Sequence, residues 1–582
     1  MTNMFLKTLY NNPADTQIPS HKLLIRAGYI RSISSGIYSW MPLGLRVLSQ
    51  IEKIIKEEMN KINGQEVLLP ALLPRSPYEV TDRWTEYGSS LFRISDRRGN
   101  DYLLGPTHEE IFTLLIKEEY LSYKKFPLIL YQIQTKYRDE IRPRAGLLRS
   151  REFVMKDSYS FDLNEEGLKK SYFSHRNAYK KIFNRLKIKY TIVKATSGAM
   201  GGSESEEFFT ESEFGEDTFV YNKESKYAAN IEAVSIPASA DLSINEQSES
   251  DIYETIETAN TLNLVNWANS IAIKKLISLN ITSASILNTY LVNIRKSNGE
   301  CYILAIGIPG DRQIDVKRLN IALNQTNFTL LDDFEFIKKP FFFKGFVGPK
   351  SLIQNKVQYL VDPRVVNGTK WITGADIFKK HIISMVVGKD FTPDGVIDVA
   401  NIKNGDSFTG GNGKLNLSRG IEIGHIFQLG GKYTKAFKVS IFGKIGKSVQ
   451  LTMGSYGIGV SRILAVIAEQ NYDRDGLRWP VSVAPFDIHV ITASQEDFIK
   501  LGAIELVVSL DKVGYEVLFD NRAVSSGVKF KDAELLGTPW IAIVGKAYFD
   551  GIIEISNRFT GEKRKININM AVYEISEILS IK

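Results

Sequence analysis

The feature that most constrains the fold is an arginine-rich segment that lies between two apolar stretches. Residues 127–137 (PLILYQIQTKY) and 153–161 (FVMKDSYSF) are rich in β-branched and aromatic residues that partly alternate with polar ones. This pattern predicts two antiparallel strands. The segment between them contains arginines interleaved with carboxylates, namely Arg138, Arg142, Arg144, Arg149 and Arg151.

A charge-rich stretch of this kind is usually a solvated loop or helix face. The flanking strands favour a different interpretation, because arginines at the ends of paired strands would point into a cleft. A guanidinium group binds phosphate or carboxylate oxygens in pairs and does not lose its charge. The segment therefore predicts a binding site for an anionic substrate, most simply a phosphate.

Length and composition are those of a multidomain enzyme. The 582 residues are enough for three or four domains, and the net charge of +7 permits nucleic-acid binding without requiring it. The single cysteine, Cys301, excludes a disulfide framework and a CxxC zinc site. The sequence contains neither a signal-peptide pattern nor a run of eighteen apolar residues, so we expect a cytoplasmic protein without a membrane segment.

Hydrophobic periodicity predicts the main elements before residue 231. Apolar spacing indicates a helix over 41–63 that ends at Gly64, followed by a short strand over 66–70. Further helices are expected over 108–125 and 165–187.

The character of the chain then changes. Residues 235–251 are polar and resemble a linker, and 401–414 is rich in Gly and Asn. Short β runs lie between them, so we expect a domain inserted into a larger one. The predicted fold class is α/β (α+β), and the predicted segments are 1–231, an insert at 232–408, 409–482, and a C-terminal α/β unit with a mixed sheet at 483–582.

A glycine-rich segment, MGSYGIGVSR (453–462), predicts a second part of the site. Gly454, Gly457 and Gly459 would remove side chains from a strand-to-helix turn and let a ligand approach the backbone. Arg462 would then fall in the first turn of an apolar helix, where backbone N–H groups favour an anion. A tight turn with a surface arginine is the alternative. Walker and dinucleotide-binding motifs are excluded, because Ile441 and Arg462 occupy positions where those motifs need glycine.

The two segments together resemble motifs 2 and 3 of the class II aminoacyl-tRNA synthetases, and residues 41–70 resemble motif 1 of that class. The resemblance implies an antiparallel-sheet catalytic core, a homodimer formed through motif 1, and ATP as a substrate. Mg²⁺ would bind with ATP, without a dedicated metal site of the protein. The class I signatures HIGH and KMSKS do not occur in the chain.

The resemblance also assigns roles to the residues of the cleft. Arg138 would bridge the α-phosphate of ATP and the carboxylate of the amino acid, and Arg462 would grip the γ-phosphate or the face of the base. The other expected ATP contacts are Glu140, Arg149, Phe153 (stacked on adenine) and Gln428. Arg142 and Arg144 would meet the acceptor end of tRNA.

Several segments narrow the resemblance to the bacterial-type prolyl-tRNA synthetases over nearly the whole chain. They are GPTHEE (105–110), SREFVMKDSYSF (150–161), YAANIE (227–232), GIEIGHIFQLG (420–430) and MGSYGIGVSR (453–462). The implied partners are proline and tRNA(Pro), with Thr107 and Glu109 accepting the imino N–H groups of proline. Arg138, His425 and Ser455 would complete the proline pocket, although Ser455 stands where relatives often have cysteine. Alternatively, residues 107–110 form a helix N-cap with an acidic first turn.

The C-terminal unit resembles the anticodon-binding domain of class IIa synthetases. Arg522, Lys529 and Lys531 would serve tRNA phosphates there, and an ordinary solvated helix is the alternative.

The insert resembles an editing domain that hydrolyses mischarged Ala-tRNA(Pro). Gly348 and His381 match the glycine loop and the histidine of such domains, but Asn288 occupies the position of their lysine. We therefore expect editing to be weak or absent.

Two other functions compete with the prolyl interpretation. A threonyl-, seryl- or glycyl-type synthetase shares the three motifs but lacks the GHIFQLG strand and this position of the insert. A catalytically inactive tRNA-binding relative would be expected to have lost Arg138, Arg462 or Thr107, and all three are present.

Overall fold

The structure is a computed structural model that describes residues 1–13, 16–120, 122–196, 200, 202, 204–241, 251–254, 261–274, 281–295, 299–324, 327–332, 342–409, 411–444 and 446–580. It divides into two compact units. The first comprises Met1–Val193, Ser197–Asp217 and Arg419–Lys582, and the second comprises Lys194–Thr196 and Thr218–Ser418.

The helices, numbered in chain order, are α1 Pro19–Arg26, α2 Pro42–Lys61, α3 Arg75–Val80, α4 Arg83–Glu86, α5 Glu109–Glu119, α6 Glu165–Arg185, α7 Thr261–Lys274, α8 Val316–Ala322, α9 Pro349–Gln354, α10 Lys432–Ala436, α11 Val460–Gln470, α12 Asp497–Val513, α13 Ser526–Leu536 and α14 Ala571–Ser580.

The strands are β1 Ile30–Ser34, β2 Ile37–Trp40, β3 Gly64–Glu66, β4 Leu72–Pro74, β5 Arg93–Ser95, β6 Asp101–Leu104, β7 Leu128–Tyr137, β8 Glu152–Asp162, β9 Thr191–Ala195, β10 Glu204–Glu211, β11 Asp217–Asn222, β12 Tyr227–Asn230, β13 Asp251–Glu254, β14 Leu287–Arg295, β15 Cys301–Pro309, β16 Asn327–Leu330, β17 Gln358–Val361, β18 Lys370–Gly374, β19 Lys380–Val386, β20 Gly395–Val396, β21 Asn416–Gly430, β22 Ser440–Phe442, β23 Ser448–Gln450, β24 Thr452–Gly459, β25 Ile488–Thr492, β26 Val517–Asp520, β27 Trp540–Val544, β28 Ile552–Asn557 and β29 Lys563–Asn567.

The central sheet of the first unit is built around the two strands predicted from the sequence. Strands β7 and β8 pair antiparallel in one continuous register from Leu128↔Phe161 to Tyr137↔Glu152. Strand β8 then pairs with β24, β24 with β21, and β21 with β10, all antiparallel. Strand β3 lies parallel to its neighbour, β7. The predicted antiparallel core is confirmed.

Three helices cover this sheet through apolar faces. The buried residues of α2 recur at helical spacing, and α2 packs against α6 and α11. In α11, eight of the nine residues from 460 to 468 are buried, and Arg462 is the exception. This helix therefore lies inside the core. The glycine-rich segment 453–462 therefore leads directly into a buried helix.

Some predicted boundaries needed correction. Helix α2 ends at Lys61, the left-handed residue after it is Asn63 with φ 61°, and Gly64 already begins strand β3. The strand predicted over 66–70 ends at Glu66, because the N–H of Leu69 donates to the side chain of Gln132 instead of to a neighbouring strand (3.0 Å). The helix predicted over 108–125 stops at Glu119, and a 3₁₀ turn follows at Tyr123–Lys125.

The predicted glycine turn was also wrong in form. Gly454, Gly457 and Gly459 lie within strand β24, and α11 begins at Val460 directly after the strand. Gly457 and Gly459 are two residues apart, so they lie on the same face of the strand, where both line a cleft. A Cβ atom on Gly457 would lie 2.4 Å from the terminal carbon of Met155. Gly454 and Gly457 thus lie in the strand itself, whereas Gly459 is the N-cap of α11 at the predicted strand-to-helix junction.

The C-terminal part of the first unit has the predicted mixed sheet. Strand β25 is parallel to β26 and β27, whereas β27, β28 and β29 pair antiparallel. Helices α12, α13 and α14 accompany these strands. Strand β29 and helix α14 were not predicted from the sequence.

The second unit has its own sheets. One has the strand order β16-β14-β15-β17-β20, and another has the order β13-β19-β18. The short β runs predicted in this region, at 289–294, 301–308, 357–362 and 381–388, correspond to β14, β15, β17 and β19. In the described part of the chain, no helix has the length and apolar character needed to cross a bilayer.

Candidate active site

The structure gathers most of the predicted nucleotide-binding residues around one cleft of the first unit, called the arginine cleft here. Its lining includes Arg138, Glu140, Arg149, Phe153, Glu422 and Arg462. These side chains come from the ends of β7 and β8, from β21 and from the start of α11. The residues are far apart in sequence, and the antiparallel pairing brings them together.

Arg138 directly follows strand β7. Its guanidinium carbon lies 5.2 Å from the ring centroid of Phe153, a cation–π contact that fixes its direction. The Nε of Arg138 is buried and has no hydrogen-bond partner in the structure. A buried donor without a partner is costly, so this group suits an anionic ligand in the cleft.

Arg149 and Arg462 are held in different ways. Arg149 donates to Glu140 (2.7 Å) and to Glu216 (2.6 Å), so its charge is shared with two carboxylates. Arg462 donates instead to the carbonyls of Leu148 (3.0 Å) and Glu422 (2.6 Å). The backbone carbonyls orient the guanidinium, and its nearest carboxylate is that of Glu422, whose Oε2 lies 3.8 Å from Arg462 Nη1.

Two carboxylates and a histidine lie together on β21 and β10. Burial raises the pKa of Glu422, but the hydrogen bond from His425 and the charges of His425, Arg462 and Arg138 outweigh burial and lower it to about 2. The ligand atoms of Glu207, Glu422 and His425 lie within 4.8 Å of one another. Carboxylate oxygens are the kind of ligand that Mg²⁺ prefers. This group was not predicted from the sequence, where we expected no metal site of the protein itself.

His425 and Gln428 both make hydrogen bonds to neighbouring side chains. The Nδ1 of His425 is 3.1 Å from a Glu422 oxygen, and its Nε2 is 2.5 Å from the Ser205 hydroxyl. His425 is thus associated with Glu422 of the arginine cleft, and its place in the proline pocket stays a prediction. Gln428, predicted to contact ATP, is buried and donates to Glu204 (2.7 Å), and it does not line the arginine cleft.

A second, fully buried cluster surrounds Glu109 at the start of α5. Arg83 donates to Glu109 (2.9 Å), to Glu110 (2.8 Å) and to the Thr107 hydroxyl (2.5 Å). The Ser455 hydroxyl donates to the other oxygen of Glu109 (3.1 Å). We call Arg83, Thr107, Glu109, Glu110 and Ser455 the carboxylate cluster.

The carboxylate cluster bears on the alternative interpretation of residues 107–110, a helix N-cap with an acidic first turn. The N-cap of α5 is His108, and it makes no capping hydrogen bond through its side chain. The Thr107 side chain is engaged with Arg83 instead of with the helix N-terminus. The structure therefore shows a helix start with the acidic first turn of Glu109 and Glu110, but without a capping hydrogen bond from a side chain.

Beneath the carboxylate cluster lies a second buried network. Lys136 donates to His108 Nδ1 (2.6 Å) and to Asp157 (2.9 Å), and His108 Nε2 lies 2.8 Å from the Pro70 carbonyl. Burial and the nearby charge of Lys136 lower the pKa of His108 to about 4. His108 is therefore neutral at physiological pH, with its proton on Nε2.

The carboxylate cluster and the arginine cleft lie close together. The Tyr137 N–H donates to the Gly105 carbonyl (3.3 Å), which holds the start of the 105–110 segment beside Arg138. The charges of both Glu109 and Arg138 act on Lys136. Lys136 therefore lies within electrostatic reach of both the carboxylate cluster and the arginine cleft.

The sequence did not single out Arg83, Glu110, Glu207 or Glu422. Arg83 stands in a short helix with no motif around it, and its contacts with Glu109 exist only in the tertiary structure. The only local signal for Glu110 was its position beside Glu109.

The three residues predicted to contact the anticodon region of tRNA differ in burial and in their partners. Lys529 is buried and donates to the carbonyls of Thr492 (2.8 Å) and Asp520 (3.3 Å), so the predicted phosphate contact of Lys529 is contradicted by its burial. Arg522 pairs with Asp520 (2.7 Å) and Asp532 (2.8 Å). Lys531 is exposed.

In the second unit, Asn288 and His381 line one cavity together with Lys344 and Thr373. Burial lowers the pKa of His381 to about 4, and its Nδ1 has no partner. Gly348 lies beside this region without lining the cavity. A Cβ atom there would lie 2.1 Å from the Gly374 carbonyl oxygen, so the close backbone approach requires glycine.

Family models match most of the chain. Residues 92–471 match the class II core domain of the tRNA synthetases (G, H, P, S and T). Residues 481–578 match the anticodon binding domain.

Curated relatives extend over the full length. A proline--tRNA ligase of Mycolicibacterium smegmatis is 59% identical over 580 residues, which cover 100% of this chain and 99% of that protein. A proline--tRNA ligase of Mycobacterium tuberculosis is 57% identical over 566 residues, with 97% of each protein covered.

Solved structures show the same fold at low identity. The chain is similar to a prolyl-tRNA synthetase of Cryptosporidium parvum complexed with halofuginone and AMPPNP, with a TM-score of 0.58, 12% identity, and coverage of 98% of this chain and 79% of that one. It is also similar to a prolyl-tRNA synthetase of Giardia lamblia in complex with prolyl-adenylate, with a TM-score of 0.56, 14% identity, and coverage of 96% and 78%.

Proposed function

We infer the activity of this chain from one premise: it belongs to the bacterial-type prolyl-tRNA synthetases, a family of class II aminoacyl-tRNA ligases. We propose that it activates proline with ATP to prolyl-adenylate and pyrophosphate, and then transfers proline to the 3′ end of tRNA(Pro). The observation that carries the proposal is the neighbouring placement of a buried carboxylate cluster and an arginine cleft. The first suits the cationic nitrogen of proline, and the second suits the phosphates of ATP.

Activation requires one oxygen nucleophile, and the substrate itself supplies it. The carboxylate of proline would attack the α-phosphorus of ATP in line, and pyrophosphate would leave. Arg138 would contact both reacting groups, which reduces their repulsion and fixes their approach. No side chain of the protein needs to form a covalent bond. Mg²⁺ bound with ATP would neutralise phosphate charge, and Glu422 with Glu207 would hold it.

Transfer would use the same cleft. The terminal ribose hydroxyl of tRNA(Pro), its 3′-OH, would attack the activated carbonyl of prolyl-adenylate, and AMP would leave. Arg462 and Arg149 would keep the nucleotide in place during this step. Phe153, in contact with Arg138, is proposed to stack on adenine.

The test is ATP–pyrophosphate exchange, measured separately with each of the twenty amino acids. We expect exchange with proline and a weaker signal with alanine, because a proline pocket cannot strongly reject a smaller apolar amino acid. Exchange with threonine, serine or glycine would retain the fold and overturn the specificity. Folded protein that gives no exchange would contradict catalysis altogether.

We also propose that the insert edits Ala-tRNA(Pro) weakly or not at all. Asn288 lines the cavity near His381, and its amide carries no charge where the resemblance implies a lysine. Lys344 lines the same cavity, so the assay has to test it as well. Deacylation of Ala-tRNA(Pro) should be slow in the wild type and faster in Asn288→Lys. Robust wild-type hydrolysis that Lys344→Gln abolishes would overturn the proposal.

The remaining assignments concern larger partners. We propose that residues 483–582 bind the anticodon, that Arg142 and Arg144 meet the acceptor end, and that the protein acts in the cytoplasm. The proposed insert at 232–408 lies within the second compact unit. A homodimer through the 41–70 segment is proposed from the class alone. Light scattering of the purified protein should give the mass of two chains, and the mass of one chain would refute it.

A further inference from the structure

The carboxylate cluster contains one cation, Arg83, that the nucleotide chemistry above does not use. Arg83 begins helix α4, directly after Asp82, which takes a left-handed conformation with φ 60°. A non-glycine residue rarely adopts this conformation, so the chain makes a strained turn that sends Arg83 inward. Only 1% of the Arg83 side chain is exposed.

The guanidinium of Arg83 is shared among four groups. Its Nη1 donates to Glu109 and Glu110, and its Nη2 donates to the Thr107 hydroxyl (2.5 Å) and to the Tyr87 hydroxyl (2.6 Å). The rings of Tyr78, Tyr87 and Tyr433 surround the guanidinium at 4.8–5.8 Å. A planar fork can satisfy these acceptors together, whereas a lysine ammonium is a single point charge.

The positive charge of Arg83 determines whether the neighbouring carboxyl groups of Glu109 and Glu110 are ionised. Glu109 and Glu110 are both buried and adjacent, so burial and their mutual repulsion each favour protonation. Burial raises the pKa of Glu109, but the charge of Arg83 and the hydrogen bonds around Glu109 outweigh burial and leave the pKa below its usual range. Burial and the charge of Glu109 leave the pKa of Glu110 above its usual range.

We propose that Arg83 is a positioning and specificity-determining residue for the amino-acid substrate. It holds the Thr107 hydroxyl and the Glu109 carboxylate in one fixed arrangement and keeps Glu109 charged. Their remaining lone pairs then accept the two N–H groups of the protonated imino nitrogen. The inference rests on the proposed function, because it assumes that Thr107 and Glu109 bind proline.

Other titratable groups face Glu109 and bear on its ionisation. They are Glu110, His108, Lys136, Tyr78, Tyr159 and Tyr433. The pKa of His108 is about 4, and burial raises the pKa of each of the three phenols, so these four groups stay neutral between pH 6 and 9. Burial lowers the pKa of Lys136, so Lys136 could also titrate in this range. The variant Lys136→Met tests whether that titration contributes to the pH dependence of the KM for proline.

The first test separates proline binding from nucleotide binding. In proline-dependent exchange, Arg83→Gln should raise the KM for proline about 100-fold, because a buried charge loses its partner. The KM for ATP should change less than about threefold, because Arg83 does not line the arginine cleft. Arg83→Lys should recover part of the loss. The matched control is Arg93→Gln, an exposed arginine of the same region that stacks on Trp84 and should leave both KM values unchanged.

The second test is a pH profile, which a purely structural role would not produce. In the wild type, Glu109 is charged throughout pH 6–9, so it adds no pH dependence to the KM for proline. In Arg83→Gln, burial raises the pKa of Glu109 without an opposing charge. Glu109 would then be protonated at pH 6 and ionise as the pH rises, so the KM should fall towards pH 9. A flat profile parallel to the wild type would overturn the inference.

A double variant serves as the control for loss of folding in Arg83→Gln. Arg83→Gln/Glu110→Gln removes one positive and one negative charge, and its thermal midpoint should stay closer to the wild type than that of Arg83→Gln. Its KM for proline should remain raised, because Glu109 is no longer held. A double variant with wild-type KM for proline would refute the role of Arg83. Absence of proline-dependent exchange in the wild type would instead refute the proposed function.

Discussion

The carboxylate cluster and the arginine cleft are neighbours, but they are built in opposite ways. In the carboxylate cluster, Arg83 is 1% exposed, and every charge has a protein partner before any substrate arrives. In the arginine cleft, the Arg149 and Arg462 side chains are 34% and 32% exposed, and Arg462 is held by carbonyl oxygens. The first arrangement suits a small cation selected by fixed geometry, and the second suits a large polyanion that displaces water.

This difference predicts how each region responds to mutation. Removing a charge from the carboxylate cluster leaves other charges buried without partners, so stability and amino-acid binding should both change. Removing a charge from the arginine cleft leaves groups that water can solvate. Catalysis should then change while the folded state survives.

The largest effect is expected for Arg138→Gln. Arg138 is proposed to contact both the α-phosphate and the carboxylate, so its loss removes stabilisation that acts mainly in the transition state. The value of kcat/KM for exchange should fall about 10³-fold with little change in thermal midpoint. Exposed Arg97→Gln is the control. A fall of less than tenfold would show that Arg138 is not at the reacting centre.

Glu109→Gln should have the next largest effect. The substitution keeps the shape of the side chain and removes its charge, so the KM for proline should rise about 100-fold while the KM for ATP stays within about threefold. Glu118→Gln, exposed on the same helix, is the matched control. Equal increases in both KM values would mean that the carboxylate cluster and the arginine cleft act as one site, and the comparison would fail.

The arginine cleft could be predicted from the sequence because its residues lie in local motifs. Arg138, Arg149 and Phe153 are fixed relative to two strands that apolar alternation reveals, and Arg462 begins an apolar helix. The antiparallel core, the insert and the mixed C-terminal sheet follow from the same local patterns and from the resemblance.

The carboxylate cluster could be predicted only in part. Thr107 and Glu109 were found through the resemblance, whereas Arg83 reaches them from a helix 24 residues or more away in sequence. Glu207 and Glu422 meet across paired strands whose register no local pattern reveals. Contacts of this kind depend on tertiary packing, and no local pattern in a single sequence predicts them.

Burial explains why the prediction for Lys529 was wrong. The segment around it is polar and looks like a solvated helix, and its sequence does not show that the ammonium is enclosed by the carbonyls of Thr492 and Asp520. Lys529 therefore belongs with the buried charges, and Lys531 belongs with the exposed ones. The same contrast between buried and exposed charge recurs in the C-terminal part of the chain.

Paired substitutions at these two lysines test that contrast. Lys529→Met should lower the free energy of unfolding by about 1–3 kcal/mol, because two buried carbonyls lose their donor. Lys531→Gln should change the free energy of unfolding by less than about 0.5 kcal/mol and raise the KM for tRNA(Pro) a few-fold. Denaturant unfolding and aminoacylation kinetics measure the two effects. A stable Lys529→Met protein with weakened tRNA binding would reverse the assignment.

The smallest effect is expected for Arg144→Gln, and it tests where the arginine cleft ends. Arg144 is 62% exposed and pairs with Glu216 (3.1 Å), the same carboxylate that Arg149 engages at 2.6 Å. An exposed pair contributes little, so exchange should change less than about twofold. The KM for tRNA(Pro) should rise a few-fold at low salt, and the difference should shrink as salt screens the phosphate contact. If exchange falls instead, Glu216 transmits the loss of Arg144 to Arg149, and the exposed loop is part of the activation site.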